Sequence, residues 1–336
     1  MLKKVIALLF VTLLVACSSD KKNEEKETVV EKNPYAETSI NLSYNLKQGD
    51  KFQYRLTTGT TQTQELRSDT VMSIKTERSE NYIVDTEVLR VTSDKQNALK
   101  ITVSGIDMTG SMNGKNFSYD SKDKNSRKNT KEFPEYNILL DSPFRIIFGP
   151  DGEISNVLDG EKIAKKMIDF GGLDHSPTTE EKKYLEQQIN ANLLLPMCQQ
   201  LYRKLPNKIV SIDSSWLVSY ESGIATFKVT NNTKYTLKDI RVIDGDTLLY
   251  IDADLSAVSE GKNTAKDERA SYNFQDPKIL GKGKIVYNYS KGVFISSSVS
   301  LTVELIIQIS TKDETGKDVN LLRRDITVNN YKVELL

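Results

Sequence analysis

Between residues 39 and 158, several short runs carry apolar side chains at every second position. Ile40, Leu42, Tyr44 and Leu46 alternate, Gly49-Asp50 turns the chain, and Phe52, Tyr54 and Leu56 alternate again. Ile83–Val91 and then Ile101 and Val103 continue the pattern. Period-two runs joined by short polar turns predict an antiparallel meander with one buried face. Residues 109–136 are rich in Gly, Ser, Asn, Lys and Asp, which predicts a mobile loop around a short strand at Phe117–Tyr119. Phe144, Ile146 and Phe148 alternate once more, and Pro150-Asp151-Gly152 closes a hairpin into Ile154.

From 159 to 206 the period becomes helical. Asp159 is placed to cap a helix carrying Ile163, Met167, Ile168 and Phe170, which Gly171-Gly172 ends. Ser176 or Thr178 is placed to cap the next, with Glu180 and Glu181 complementing the dipole of its first turn. Tyr184, Leu185, Ile189, Leu193 and Leu194 form its apolar stripe, and Pro196 is expected to kink or break it. A shorter helix then runs through Met197, Leu201 and Tyr202 to Leu205-Pro206.

From 207 to 336 alternation returns. Ala225, Phe227 and Val229 lead to an Asp244-Gly245-Asp246 hairpin turn, and Leu248–Leu255 follows. Residues 256–275 read as a polar loop, and Val293–Ser310 as a long strand. Together these elements predict an α+β fold: an antiparallel, strongly curved sheet with a central helical insertion on one face or end. Strong curvature is expected because a long meander must close or cover its edges, and a helix across its mouth would enclose an apolar pocket. Residues 39–336 form either one compact unit or two similar halves, since both β-rich parts share a plan without an exact repeat.

The N-terminus follows a different logic. Lys3 and Lys4 precede an apolar run, Val5–Ala16, broken only by Thr12, and Leu14-Val15-Ala16-Cys17 has the form of a lipobox. A helix of that length covers roughly 18 Å, short of the ~30 Å a membrane span needs. Residues 1–16 are therefore read as a lipoprotein signal peptide and Cys17 as the lipidation site, carrying palmitate-type acyl chains. Residues 17–38 are polar and charged, a flexible tether. The expected location is the cell envelope, lipid-anchored, at the outer membrane and facing the periplasm or the surface.

Charge adds mainly exclusions. Taking Lys3 and Lys4 from the 46 basic residues leaves 44 against 46 acidic ones, so nothing draws the mature chain to nucleic acid. No other run is long and apolar enough for a transmembrane helix, and charged strands without aromatic girdles argue against a spanning barrel. With Cys17 acylated, Cys198 is the remaining thiol, too few for an internal disulfide, and LLLPMCQQL places it in an apolar segment.

Three stretches carry a resemblance: Leu46-Lys47-Gln48-Gly49-Asp50-Lys51-Phe52-Gln53-Tyr54, Phe148-Gly149-Pro150-Asp151-Gly152-Glu153-Ile154, and Leu205-Pro206 through Asp213-Ser214-Ser215-Trp216. They resemble an uncharacterised family of bacterial envelope lipoproteins over most of residues 40–305, with Ile212 standing where that pattern carries a glycine. The resemblance implies a secreted β-rich domain with a central helical insertion and no assigned activity, and it transfers no site residues.

The chemistry-bearing residues are sparse. His175 is the only histidine and lies in an interhelical loop without a G-x-S-x-G serine elsewhere. Asp244 and Asp246 flank a turn glycine, and Asp252 and Asp254 share a strand face. Calcium would need six to eight oxygens, so turn and solvent-face roles are the better reading. A facing carboxylate pair for a hydrolase cannot be placed from sequence, and phosphate-loop and dinucleotide glycine patterns are missing. Trp216, the only tryptophan, reads as a core anchor. No catalytic, cofactor or metal residues are assigned. The reading is a non-enzymatic binding module whose partners are the membrane, through Cys17, and a hydrophobic ligand or envelope protein. A structural or assembly component and a carboxylate-dependent hydrolase are the alternatives.

Overall fold

The computed structural model describes residues 38–128, 132–171, 177–312 and 315–336; Cys17 and His175 lie outside them. The strands are β1 (Ile40–Asn41), β2 (Lys51–Arg67), β3 (Val71–Val91), β4 (Asn97–Met112), β5 (Lys115–Asp120), β6 (Phe144–Phe148), β7 (Ile154–Leu158) and β8 (Ile209–Val210). They continue as β9 (Ser215–Ile224), β10 (Phe227–Ile243), β11 (Asp246–Gly261), β12 (Thr264–Lys266), β13 (Ala270–Phe274), β14 (Lys278–Asn288), β15 (Val293–Lys312) and β16 (Asp318–Leu335). The helices are α1 (Lys124–Lys128), α2 (Pro134–Leu139), α3 (Gly160–Gly171), α4 (Thr179–Ile189) and α5 (Leu195–Leu201), with a π-helical segment, Asn190–Leu194, between the last two.

One 14-stranded antiparallel sheet holds nearly all the strands, its main path running β7-β6-β4-β3-β2-β16-β15-β14-β11-β10-β9. From β2, in the middle of this sheet, the chain meanders outward to β7. It crosses through the helices to the opposite edge at β9, then returns strand by strand until β16 pairs with β2, from Leu335 opposite Tyr54 to Leu322 opposite Arg67. Both β-rich parts therefore belong to one sheet, and the helical insertion is its crossover.

The sheet is open and not strongly curled, which corrects the expected strong curvature. Residues 40–46 and the helices share one hydrophobic core with both wings of the sheet. On the inner face, which carries Tyr54, Leu56 and Val84, one core joins Leu99, Phe144 and Ile146 from one wing to Leu237, Ile251 and Tyr287 from the other. A second cluster around Val229, Leu255, Val299 and Leu301 lies within the later wing.

Several elements differ from the expectation. Leu42, Tyr44 and Leu46 are buried as their alternation requires, yet only Ile40–Asn41 is laddered, against β8. The polar stretch from Thr57 to Asn81 forms the long hairpin of β2 and β3, paired without a register shift from Lys51–Glu87 to Arg67–Val71. Thr-rich sequence suits an extended backbone, and the ladder rather than side-chain burial satisfies its polar groups. Within 109–136 the strand expected at Phe117–Tyr119 is present as β5, and the described residues around it are structured by the end of β4, α1 and α2; the loop expected at 256–275 is structured by the end of β11, β12 and β13.

Pro196 does not break its helix. The turn before it widens instead, with Leu195 N–H donating to the Asn190 carbonyl, which relieves the clash a proline imposes on the preceding turn. Thr178 caps α4 with a full capping box to Glu181. Asp159 precedes α3, but its carboxylate accepts from Arg145 Nε at 2.5 Å. Asp213 takes the left-handed conformation (φ 66°), so the turn there needs no glycine at Ile212.

Candidate binding surfaces

Where the sequence predicts a pocket beneath the insertion, the described side chains form a packed core. Leu194, Cys198, Leu201 and Tyr202 are at most 1% exposed. Tyr202 stacks on Phe148 at 4.9 Å. Tyr44 packs edge-on against Phe148 at 5.1 Å, Tyr287 at 6.2 Å and Phe294 at 6.1 Å, linking β6 to β14 and β15. Its hydroxyl donates to the Arg203 carbonyl at 2.9 Å, and its N–H to the Pro150 carbonyl at 2.8 Å. Burial pushes the Cys198 thiol well above the usual range, so its reactive thiolate is suppressed.

Donors enclosed on the inner side without a hydrogen-bond partner among the described residues include Arg203 Nε, Tyr220 Oη and Trp216 Nε1. Arg203 Nη2 reaches Ser297 Oγ at 3.2 Å. Burial raises the Tyr220 phenol well above its ordinary range, an effect that the nearby Arg203 charge offsets only in part. Trp216 stacks on Tyr235 at 5.5 Å and is 8% exposed, as a core anchor should be. A partly buried ion pair also lies on this side: buried Glu80 accepts from Tyr136 Oη at 2.5 Å and faces the half-buried Arg78, whose Nε is 3.4 Å away.

The opposite, outer face carries a groove of about 520 Å³ across five strands. Register aligns Asn330, Gly59, Ser79, Thr109 and Ser118 in one rung, and Thr61, Glu77, Ser111 and Asn116 in the next. The side chains are small, so the backbone of the intervening row forms an open floor. The side chains of Thr61, Ser79, Thr109, Ser111, Asn116 and Ser118 make no hydrogen bond within the described residues, which leaves donors and acceptors available to a partner. Glu77 is held by Lys75 at 2.6 Å. A further exposed region lies at the tip of the β2–β3 hairpin, where Val71 is 64% and Met72 59% exposed.

The acidic candidates do not converge. Asp252 and Asp254 lie opposite Lys284 and Lys282 in the ladder. Asp244 (φ 52°) and Gly245 (φ 84°) make the hairpin turn that the Asp-Gly pair predicts. Asp246 accepts from Lys291 Nζ at 2.7 Å and from Asn288 Nδ2 at 2.9 Å, and these bonds hold its carboxyl below the usual range. Among the described residues no group of three or more His, Cys, Asp or Glu is placed to hold a metal ion, and no helix is long and apolar enough to cross a membrane. The groove had no sequence signal, because it gathers small polar residues from five strands, among them Gly59 and Asn330, which lie far apart in the chain.

These features define a β-rich protein built on one open antiparallel sheet, with a helical crossover on its inner face and a polar groove on its outer face. The chain belongs to the family of unknown function DUF6263, whose sequence profile matches residues 94–294. No curated protein matches it. Solved structures similar to it include lipovitellin, in a study of its lipid–protein interactions, at 12% identity and a TM-score of 0.36 over 86% of this chain. The chain spans 25% of the lipovitellin chain's length. An outer membrane channel from Pseudomonas putida F1 aligns over 92% of this chain and 100% of its own, at 7% identity and a TM-score of 0.19. OccK5 of Pseudomonas aeruginosa aligns over 84% and 98%, at 6% identity and a TM-score of 0.19. No enzyme family is among these matches.

Proposed function

We propose that this chain is a non-catalytic binding module of the bacterial envelope, lipid-anchored through Cys17, that receives an envelope protein on its exposed sheet. The leader and lipobox support the anchor and an outer-membrane location. The observation that carries the binding role is the outer-face groove, where uncommitted hydroxyl and amide groups span five strands. The alternative occupant, a hydrophobic ligand under the insertion, is disfavoured by the filled core around Leu201 and Tyr202. Protein partners commonly combine such polar contacts with bridging water.

Two measurements test the reading. Palmitate labelling of the full chain should be lost in Cys17→Ala. A photo-crosslinking residue at Ser79, introduced in living cells, should give a discrete protein adduct that the same residue at Lys284 does not. An unlabelled wild-type chain would remove the anchor, and no adduct at Ser79 would remove the binding role.

A further inference from the structure

The sheet ends on β9, and this edge is unusually open. All ten residues, Ser215–Ile224, pair with β10 on one side without a register shift, and among the described residues no strand or helix packs along the other. At the opposite extreme, β7 spans five residues and is covered by α5 and the π segment. Natural sheets guard long edges with lysine, proline, bulges or a covering element, because free N–H and C=O groups template another strand. Here none of these is present. The single charge, Glu221, is engaged by Lys228 of β10 at 2.6 Å, and Leu217 is 62% exposed.

We propose that β9 pairs antiparallel with β9 of a second copy of this chain, centred on Ser219, so that one sheet runs through both. The strand's own pattern argues for self-pairing. Opposed residues in an antiparallel pair share a face, and a two-fold arrangement about Ser219 satisfies that at every rung. Val218 then opposes Tyr220 of the second copy, an aromatic against a β-branched residue, which is a favourable cross-strand pair. Trp216 opposes Ser222, and both lie on the inner face. On the outer face Leu217 opposes Glu221, so its exposed side chain is covered by the glutamate stem, and no like charges meet. The new ladder adds main-chain hydrogen bonds to groups that β10 leaves free.

Ser219→Cys in the full chain, in its own membrane, reads this geometry. Opposed α-carbons about 4.5–5.5 Å apart fall within the range a disulfide bridges, so mild oxidation should give a disulfide-linked dimer. Thr302→Cys, exposed on the outer face away from the edge, should stay monomeric. Adding Leu217→Lys to Ser219→Cys should cut the crosslink at least tenfold, and Leu217→Lys alone should halve the mass of the detergent-solubilised chain in sedimentation; exposure of that side chain keeps the fold intact. The proposal is overturned if Ser219→Cys forms no dimer, if Thr302→Cys crosslinks equally, or if the solubilised wild type sediments as a monomer. Because these readouts do not involve the groove, they fail or succeed independently of the binding role.

Discussion

Gly152 lies directly against the ring of Tyr44: a β-carbon added there would sit 2.5 Å from Tyr44 Cε2 and 2.4 Å from the Arg203 carbonyl. The contact locks the β6–β7 turn to the N-terminal segment and to the end of the helical crossover. Gly152 also has φ 80°. Gly152→Ala is therefore expected to cost more than the ~1–2 kcal/mol of left-handed strain alone, by roughly another 1–3 kcal/mol of overpacking. Gly245→Ala, at φ 84° with nothing within 4 Å, should show the strain without the overpacking. Urea unfolding of both variants checks this, and equal losses would show that the close approach carries no energy.

Glu80 is 5% exposed and tied to Tyr136 and Arg78. Glu80→Ala leaves a partly exposed guanidinium and a buried hydroxyl without their carboxylate, so a loss of about 1–3 kcal/mol is expected. Replacing both ions, as Arg78→Met with Glu80→Leu, should cost less than the single change, since no charge is left uncompensated. Denaturation midpoints of the two variants give the comparison.

Cys198 should resist alkylation in the folded protein at pH 8 and react at the rate of a free thiol once urea unfolds the chain. Burial both blocks access and keeps the sulfur protonated. Rapid labelling of the native chain would contradict the packed interior beneath α5.

Asp246 should titrate below the ordinary aspartate value of about 3.9, and Lys291→Ala should move it upward. The folded carboxyl binds its proton less readily than the unfolded one, so its stabilising contribution is present above that value. The contribution is lost as pH falls through the lower, folded pKa. Carboxyl chemical shifts across an acid titration report both positions.

Much of the local structure was legible in the chain. The alternation of Ile40, Leu42, Tyr44 and Leu46 foretold their burial, Asp244-Gly245 foretold its hairpin, and Ser176 or Thr178 ahead of Glu180 and Glu181 foretold a capped helix, in which Thr178 is the cap. The strands through Thr57–Asn81 and 256–275 were not legible, because both their faces are polar and the hydrophobic period is silent there. At Pro196 the sequence marked the interruption and the shorter helix that follows, but not its form, a widened turn over Asn190–Leu194 in place of a break. The outer groove and the β9 edge were invisible for want of any local signal.

In the apolar-patterned segments the sequence by itself determined which side chains face the core and where the chain turns, since side-chain period and turn chemistry act within a few residues. Only the tertiary structure decided that β2 and β16 are neighbours, that the helices serve as a crossover between opposite edges, and that one edge is left bare. Those outcomes rest on backbone hydrogen bonds, which nearly every residue can make, so the choice of partner strand is written in the whole assembly and not in any one segment.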